Sequence, residues 1–367
     1  MELKFIPREH FVSQKNTMKT YTLSGVLRGT FDIFRTNVGE DIPKRQVPLS
    51  FNSSGKSTHY GWSVFRSLES LFPGVWKKSF GRTRPDLDNT NKNGVGLVWY
   101  LDGSDTITLK HLLPKVSSFA ISGVEKKETE QGQLWIQKPS HPYIGSGKFI
   151  SVSNNYQDLI NSRPKEYVMS ATMKFSIDNW VIQPLVTPKL WFGGRKFDCR
   201  FYGIIFTVNG SVFAKAFKYG IARVCVNKYD PVNDPMSAIT NISIQDGLEG
   251  FDESKNVPLI YDDTGIVNDM LTEVVTKTEF TVTEKLQMLI LGFDVMFDSE
   301  GKPKLIEVNH EPYIELEKQN SEGLCTTKFV EYVFGKLIPM MIDTVRDASS
   351  RKIEVPEDSN WTPTIRV

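Results

Sequence analysis

The stretch MLILGFDVMFDSEGKPKLIEVN, residues 288–309, contains two apolar runs separated by a turn-forming segment. Both runs are rich in β-branched or aromatic residues, and Glu300-Gly301 lies between them, so the stretch predicts a β-hairpin. Folding the hairpin brings Asp294 and Glu307 onto neighbouring strands. Their flanking residues are apolar, which predicts partial burial. Because a buried unpaired carboxylate is costly, a cation is a reasonable partner for this pair.

Asp294, Glu307 and Asn309 are therefore the candidate metal ligands of this hairpin. Two carboxylates and an amide oxygen form a hard-oxygen set of the kind that Mg²⁺ prefers, together with phosphate oxygens and water. Spacing by itself favours an ordinary surface hairpin with alternating polar residues. The apolar flanks are what argue for a metal site.

A second hairpin is predicted over residues 195–226, with its turn at Asn209-Gly210. Strand alternation places the charged side chains of RKFDCR on one face and its apolar side chains on the other. The charged residues are Lys196, Asp198 and Arg200, and Arg223 of the following strand can join the same face. Beside a phosphate group, such a row can neutralise developing negative charge. A charged face that is paired internally is the alternative interpretation.

Two lysines are candidates for phosphate contacts. Lys138 lies in WIQKPS and is followed by the glycine loop GSGK, residues 145–148, whose backbone N–H groups can approach phosphates. The pattern GxxxxGK[ST] is absent, and a solvated lysine beside a turn explains the same residues. Lys110, in TLKHLL, lies on a helix predicted to begin near Thr106, where an exposed lysine is the usual interpretation.

Composition excludes several classes of protein. The chain has 367 residues, 40% of them hydrophobic, which excludes disorder over the whole length. Its 44 Lys plus Arg and 43 Asp plus Glu give a formal net charge of +1, which argues against a nucleic-acid binder. No apolar run is long enough to span a membrane, and the first residues lack a signal-peptide core. Three cysteines without a CxxC pair suggest neither a disulfide framework nor a zinc site, so a reducing cytoplasmic setting is expected.

We expect five segments along the chain. They are an N-terminal extension over 1–55, an N-terminal domain over 56–105, a central domain over 106–183, a C-terminal domain over 184–350 and a polar, loose tail over 351–367. A helix is predicted over residues 62–76. Another is predicted after residue 325, with a kink at Pro339.

Taken together, these motifs resemble the tubulin tyrosine ligase family, a branch of the ATP-grasp ligases. The similar strings are TLKHLL, WIQKPS with GSGKFIS, VIQPLV, GRKFDCR, FKYGIAR, ITNISIQ, LGFDVMFD and LIEVN. They occur in the order of the family from about residue 57 to about residue 345, and the first 55 residues have no evident counterpart. The resemblance implies an α/β protein with the ATP-grasp fold, its sheets mixed and ATP held between the central and C-terminal domains.

The resemblance also implies roles for single residues. ATP contacts are implied for Lys110 and Lys138 at the phosphates, Gln183 at the adenine, Leu185 and Val186 beside the base, Lys196 and Asp198 on the nucleotide and metal side, and Thr240 and Asn241 near the nucleotide. Arg200 and Arg223 resemble arginines that hold the acceptor carboxylate or an acyl phosphate. Asp294, Glu307 and Asn309 resemble the Mg²⁺ ligands, with Glu307 also counted as catalytic.

The implied activity is that of an ATP-dependent carboxylate–amine ligase that forms an amide bond through an acyl phosphate. Its implied substrates are a free amino acid and an acidic protein tail such as that of tubulin, modified by tyrosination, glutamylation or glycylation. Nucleic acid and membrane are not expected partners, and the implied location is cytoplasmic and cytoskeleton-associated.

Several positions depart from the family pattern. These are Pro184, the bulky loop HPYIGSGK at 141–148, Ala238-Ile239 before Thr240, and NHEPY at 309–313. They keep two other hypotheses open. One is a non-catalytic ATP-grasp scaffold that binds a partner protein, and the other is a ligase that acts on a small molecule or peptide.

Overall fold

A computed structural model describes most of the residues that carry the predicted motifs. The described residues are 4–5, 31–35, 49–53, 76–78, 97–98, 101, 103–123, 132–140, 149–164, 166–170, 173–176, 179–282, 286–310, 312, 328–329, 331–346 and 353–367. The predicted helix over 62–76 lies outside them except for Trp76, and so does the GSGK loop.

A large mixed sheet contains the two predicted hairpins. Its strands are β1 Lys4–Phe5, β5 Leu97–Val98, β11 Leu190–Trp191, β12 Arg195–Val208, β13 Ser211–Lys228, β14 Leu259–Tyr261, β15 Leu286–Phe297, β16 Pro303–His310 and β17 Ile365–Arg366. Six of them lie in the order β1, β14, β13, β12, β15 and β16, while β11, β17 and β5 pair with β12, β13 and β15, respectively. Only β5 and β15 pair in parallel among these.

Three smaller sheets use the other strands. One has the order β10, β6, β7, with β6 Trp135–Pro139, β7 Ser151–Ser153 and β10 Trp180–Pro184. The second joins β2 Phe31–Arg35, β3 Leu49–Ser53 and β4 Trp76–Lys78. The third pairs β8 Glu166–Ser170 with β9 Met173–Ser176.

The described helices are short. They are α1 Asp105–Thr108, α2 Leu113–Val116, α3 Tyr156–Asn161, α4 Ile242–Gln245, α5 Glu253–Asn256, α6 Ile266–Lys277 and α7 Ile338–Arg346, with a 3₁₀ turn at Pro235–Ala238 and a π turn at Val333–Leu337. Within the described residues, no helix has both the length and the apolar character needed to cross a bilayer.

The turn between β12 and β13 confirms the prediction from Asn209-Gly210. Asn209 has φ 48° and Gly210 has φ 78°, and Val208 pairs with Ser211. Positive φ at both central residues matches the twist of a two-residue hairpin, and Asn and Gly tolerate it best. The hairpin predicted over residues 288–309 also forms, from β15 and β16, with Gly301 at φ 82° in its turn.

The two faces of the large sheet bury different side chains. Phe197 and Cys199 of β12 belong to an apolar cluster that includes one side of α6, with Val267, Met270, Leu271, Val274 and Val275. On the opposite face, the part of β12 and β13 nearer to the Asn209-Gly210 turn packs against the C-terminal helical segment, where Tyr202 and Phe217 contact Phe329. The part of that face farther from the turn carries the charged residues of RKFDCR.

The single helix predicted from Thr106 is wrong. Two short helices, α1 and α2, replace it, because Leu109 is extended (ψ 115°) and ends the first helix just before Lys110. Pro114 lies in the first turn of α2, where its missing N–H costs nothing. In the C-terminal helical segment, the π turn immediately precedes Pro339, which cannot donate a hydrogen bond to the preceding turn.

The expectation of a loose tail is also wrong. Residues 353–367 pack along β13, where β17 pairs with Phe213 and Ala214 and the Thr362 N–H donates to the Ala216 carbonyl at 2.9 Å. Trp361 is 2% exposed, and its ring centroid lies 4.6 Å from that of Tyr332. One buried aromatic residue thus fixes a segment whose other residues are mostly polar. The boundaries of the other segments stay predictions.

Replacing Trp361 by alanine is expected to destabilise the C-terminal part strongly, because its ring contacts Phe217, Phe329 and Tyr332. The expected loss is about 3–5 kcal/mol in the free energy of unfolding, measured by urea titration. Val367→Ala is the control, since Val367 is 52% exposed. Equal unfolding midpoints for the two variants would contradict the packing described for the tail.

Candidate active site

Strand register brings the predicted charged residues together on one face of the large sheet. Arg200 lies opposite Asp294, Asp198 lies opposite Arg223, and Asp294 lies opposite Glu307. Directly opposed residues share a face, so four neighbouring strands contribute to one cluster. The predictions that Asp294 and Glu307 are strand neighbours, and that Arg223 joins the face of Asp198, are confirmed.

Asp294 is the centre of the cluster. It is 2% exposed and accepts hydrogen bonds from Arg200 through Nε and through Nη2, the latter at 2.8 Å. Arg223 Nη2 lies 3.0 Å from Asp294 Oδ2. Two guanidinium groups therefore share one buried carboxylate, which keeps the carboxylate paired in a site with little water.

Asp198 holds the other side of Arg223. Arg223 Nε and Nη2 donate to the two oxygens of Asp198 at 2.6 and 2.8 Å, and Thr240 Oγ1 donates to Asp198 Oδ2. Lys196 Nζ donates to the carbonyl of Ala238. The segment around Thr240 is thus attached to β12 at two points.

Glu307 and the neighbouring Ile306 of β16 link the two predicted phosphate-contacting lysines to the cluster. Lys110 Nζ lies 2.8 Å from Glu307 Oε2, and Lys138 Nζ donates to the Ile306 carbonyl at 3.2 Å. Lys138 belongs to β6 of a smaller sheet, so this bond joins that sheet to β16. The structure therefore places both lysines at the carboxylates, although they come from different parts of the chain.

Burial and neighbouring charge change the pKa values of these groups. Burial lowers the pKa of Lys138 to about 8, with the Glu307 charge acting in the opposite direction. Burial likewise lowers the pKa of Lys196. Burial by itself raises the pKa of Glu307, but the charges of Lys110 and Lys138 outweigh this effect and hold the pKa well below its usual range. Burial raises the pKa of Asp294, and Arg200 and Arg223 act against that rise.

The three predicted metal ligands converge. Asn309 Nδ2 lies 3.0 Å from Glu307 Oε1 and 3.4 Å from Asp294 Oδ2, so one amide reaches both carboxylates. A cation between these strands would meet the carboxylate oxygens of Asp294 and Glu307, and a rotation of the Asn309 amide, which here directs its nitrogen at both carboxylates, would add an amide oxygen. Such an oxygen set fits Mg²⁺, which keeps several water or phosphate ligands. Arg200 already contacts both oxygens of Asp294, so a cation and the guanidinium share that carboxylate.

The residues predicted to contact adenine lie on β10 of the β10-β6-β7 sheet and directly after that strand. Gln183 is buried on β10, and its Nε2 donates to the Ile121 carbonyl. Leu185 and Val186 follow directly, half-buried, and the Leu185 N–H donates to the Leu134 carbonyl at 2.8 Å. Pro184 ends β10 opposite Trp135. These residues form no part of the charged cluster.

Asn241 lies at the start of α4, where its carbonyl accepts hydrogen bonds from the N–H groups of Ile244 and Gln245. Two further residues position the site without having been predicted to do so. Gln245 Oε1 accepts from the Val226 N–H at 2.7 Å, and its Nε2 donates to the Ile239 carbonyl at 2.6 Å, which fixes the segment before Thr240.

Ser140 is the second unpredicted residue. It is fully buried, its Oγ contacts His111 Nδ1, and its carbonyl accepts from the Lys110 N–H at 3.3 Å. These contacts attach the turn of Lys110 to the end of β6. Gln245 and Ser140 are the last residues of the quoted motifs ITNISIQ and WIQKPS, but nothing in their local pattern distinguishes them from surface polar residues.

A family model described as "Tubulin-tyrosine ligase family" matches residues 118–261 and 263–343 of this chain. The matched ranges contain all of the candidate site residues except Lys110. Among curated proteins, the chain is similar to "Probable alpha-tubulin polyglutamylase Ttll1" of Tetrahymena thermophila, with 24% identity over 307 residues, 75% of this chain and 70% of that protein.

Two other relatives match over shorter lengths. "Probable tubulin polyglutamylase ttll-9" of Caenorhabditis elegans is 23% identical over 271 residues, 66% of this chain and 62% of that protein. "Tubulin glycylase 3F" of Tetrahymena thermophila is 25% identical over 202 residues, 49% of this chain and 22% of that protein. The chain thus spans less than two thirds of the length of both.

Binding of MgATP is expected to take up protons at about pH 9 and not at about pH 6.5. The pKa of Lys138 is about 8, so the amine is mostly neutral at the higher pH, and nearby phosphates favour its charged form. Calorimetry in two buffers of different ionisation enthalpy measures the uptake, which approaches one proton. Lys138→Met is the control, and equal uptake by that variant would contradict the assignment.

Proposed function

This chain belongs to the tubulin-tyrosine ligase family, and from that premise we propose that it joins a free amino acid to a carboxylate of an acidic protein tail at the expense of ATP. The observation that carries the proposal is the cluster of five cations and three carboxylates that meet at one face of the large sheet, with a net charge of +2. Its members are Lys110, Lys138, Lys196, Arg200, Arg223, Asp198, Asp294 and Glu307.

Family membership confirms two expectations from the sequence. The fold class is α/β with mixed sheets, an ATP-grasp fold, and the enzyme class is that of an ATP-dependent ligase. The amino acid, the acceptor and the chemical steps belong to the proposal.

In the first proposed step, an oxygen of the acceptor carboxylate attacks the γ-phosphorus of ATP. The bond from that phosphorus to the bridging oxygen of ADP breaks, and an acyl phosphate forms. Lys110 and Lys138 hold the phosphates, and Arg200 and Arg223 steady the acceptor. The protein contributes alignment and neutralisation of negative charge, and no covalent enzyme intermediate is needed.

In the second step, the amino nitrogen of the free amino acid attacks the acyl carbon. The carbon–oxygen bond to phosphate breaks, an amide forms, and the amine loses its proton to solvent. Arg200 and Arg223 stabilise the negative charge on the tetrahedral intermediate, which is the charge that preorganised cations favour most. A Mg²⁺ ion held by Asp294, Glu307 and Asn309 would neutralise charge on the phosphates.

Relatives supply the substrate part of the proposal. Two of the proteins described above are named as tubulin polyglutamylases and one as a tubulin glycylase. We therefore propose tubulin as the acceptor and glutamate as the first amino acid to test, with glycine second and tyrosine third. A site of action at the cytoskeleton follows from that acceptor.

The scaffold hypothesis is weaker because a scaffold that has lost turnover has no need of the complete charged set. Arg200, Arg223, Asp294, Glu307 and Asn309 are all present and in mutual contact. Ligation to a small molecule or peptide keeps the same chemistry and differs only in the acceptor.

Glu307→Gln is expected to lower amino-acid transfer by about 100-fold or more, because it removes a ligand of the cation and the partner of Lys110. The measurement is mass spectrometry of tubulin after incubation with MgATP and each amino acid. Glu300→Gln is the matched control, since Glu300 lies in the turn of the same hairpin and is 68% exposed. No added mass with wild-type protein for any amino acid would overturn the proposal.

A further inference from the structure

We infer that Lys328 and Tyr219 form a subsite for a carboxylate of the incoming free amino acid. The inference rests on the proposed function and adds to it a residue pair to which neither the motifs nor the relatives assign a role. The pair lies where the charged cluster meets the C-terminal helical segment.

Tyr219 shares a sheet face with the cluster. It lies two residues from Ile221, which pairs with Arg200, so alternation along β13 directs both side chains to the same side. The ring centroids of Tyr219 and Phe217 lie 5.6 Å apart, as expected for side chains two residues apart on the same face of a strand. Two residues along a strand span about 7 Å, so Tyr219 occupies the next same-face position of β13 beyond the residue opposite Arg200.

The backbone is irregular at this point. Gly220 pairs with Phe201 while Phe217 pairs with Tyr202, which leaves Lys218 and Tyr219 without a partner on β12. Bulges of this kind redirect side chains and recur next to active sites. Here the bulge lies directly before Ile221, the β13 residue that pairs with Arg200.

Lys328 provides the charge of the subsite. Its Nζ lies 4.5 Å from the centre of the Tyr219 ring and 3.3 Å from the Tyr219 hydroxyl, and the side chain is half-buried. Within the described part of the chain, no carboxylate lies in ion-pair range of Lys328. By contrast, Lys110, Arg200 and Arg223 each have a carboxylate partner.

A half-buried ammonium group that contacts a ring face and a phenol retains the capacity to bind an anion. The tyrosine hydroxyl can donate to the same anion, so the pair presents two donors to a carboxylate. Pro312 packs against Gly292 of β15, where a side chain on that glycine would meet both Pro312 and Arg200. Pro312 therefore borders the cluster on the side of β15.

The steps of the proposed reaction indicate which substrate carboxylate Lys328 binds. Arg200, Arg223 and the three metal ligands are engaged by the acceptor and the phosphates in the proposed reaction. The attacking amine must reach the acyl carbon, and in a free amino acid its α-carboxylate is only two bonds away from the nitrogen. A cation next to the arginines, and distinct from them, is what such a nucleophile requires. A glutamate side chain offers the same group from a second position.

The test compares Lys328→Met with wild-type full-length protein. Binding of L-glutamate to the protein with MgADP is measured by ligand-observed NMR, and KM values for L-glutamate and MgATP are measured in the tubulin transfer assay. We expect the variant to raise the Kd and KM for glutamate at least tenfold, with KM for MgATP changed less than twofold. Lys328→Arg should recover most of the loss, and Tyr219→Phe should cost two- to threefold.

Two amides of glutamate distinguish which carboxylate is bound. If Lys328 contacts the α-carboxylate, wild-type protein binds glutamate α-amide as poorly as the Lys328→Met variant binds glutamate. If it contacts the side chain, glutamine shows that loss instead. Lys336→Met is the matched control, because Lys336 lies on the same helical segment and pairs with Asp358 at 2.8 Å on the surface.

The outcomes separate the subsite from the proposed function. Unchanged glutamate binding and KM in Lys328→Met, with transfer intact, would overturn the subsite and leave the ligase activity standing. Glutamate binding that depends on Lys328, without transfer to tubulin, would support the subsite and overturn the proposed acceptor. A wild-type protein that neither binds nor transfers glutamate or glycine overturns both.

Discussion

The rest of the site depends on the burial of the Asp294 carboxylate in the middle of a sheet. A charge in that position is tolerated only when it is paired and hydrogen-bonded, and two guanidinium groups meet that requirement. Arg223 in turn needs Asp198, and Asp198 needs Thr240. Each charged side chain is therefore held in place by its neighbour in this series of contacts, and strand register determines which side chains are neighbours.

Periodicity and turn chemistry predicted much of this arrangement. Alternation assigned Lys196, Asp198 and Arg200 to one face, and the turns at Asn209 and Gly301 set which residues lie opposite each other. These signals are local, so a single sequence contains them. The roles proposed for Gln183 and Asn241 rest only on resemblance to a family, because a lone amide side chain has no distinguishing pattern.

Long-range contacts were beyond the reach of such patterns. The local sequence around Lys110 is typical of an exposed helical lysine, yet the helix ends at Leu109 and the Lys110 amine binds Glu307. The tail appeared loose because most of its residues are polar, whereas Trp361 alone decides its position. In both cases a partner distant in sequence overrides the local preference, and neither pattern nor propensity records that partner.

The packing of residues 361–366 against β13 has a consequence for biosynthesis. The strands that carry the charged cluster are complete once residue 310 has been translated, but the edge of β13 at Phe213 and the face around Phe217 still await their cover. A nascent chain therefore displays an open strand edge and an aromatic surface until the ribosome has released the segment around Trp361, and chaperones recognise such surfaces. The strands of the charged cluster are thus translated before the segment that covers the other part of β13.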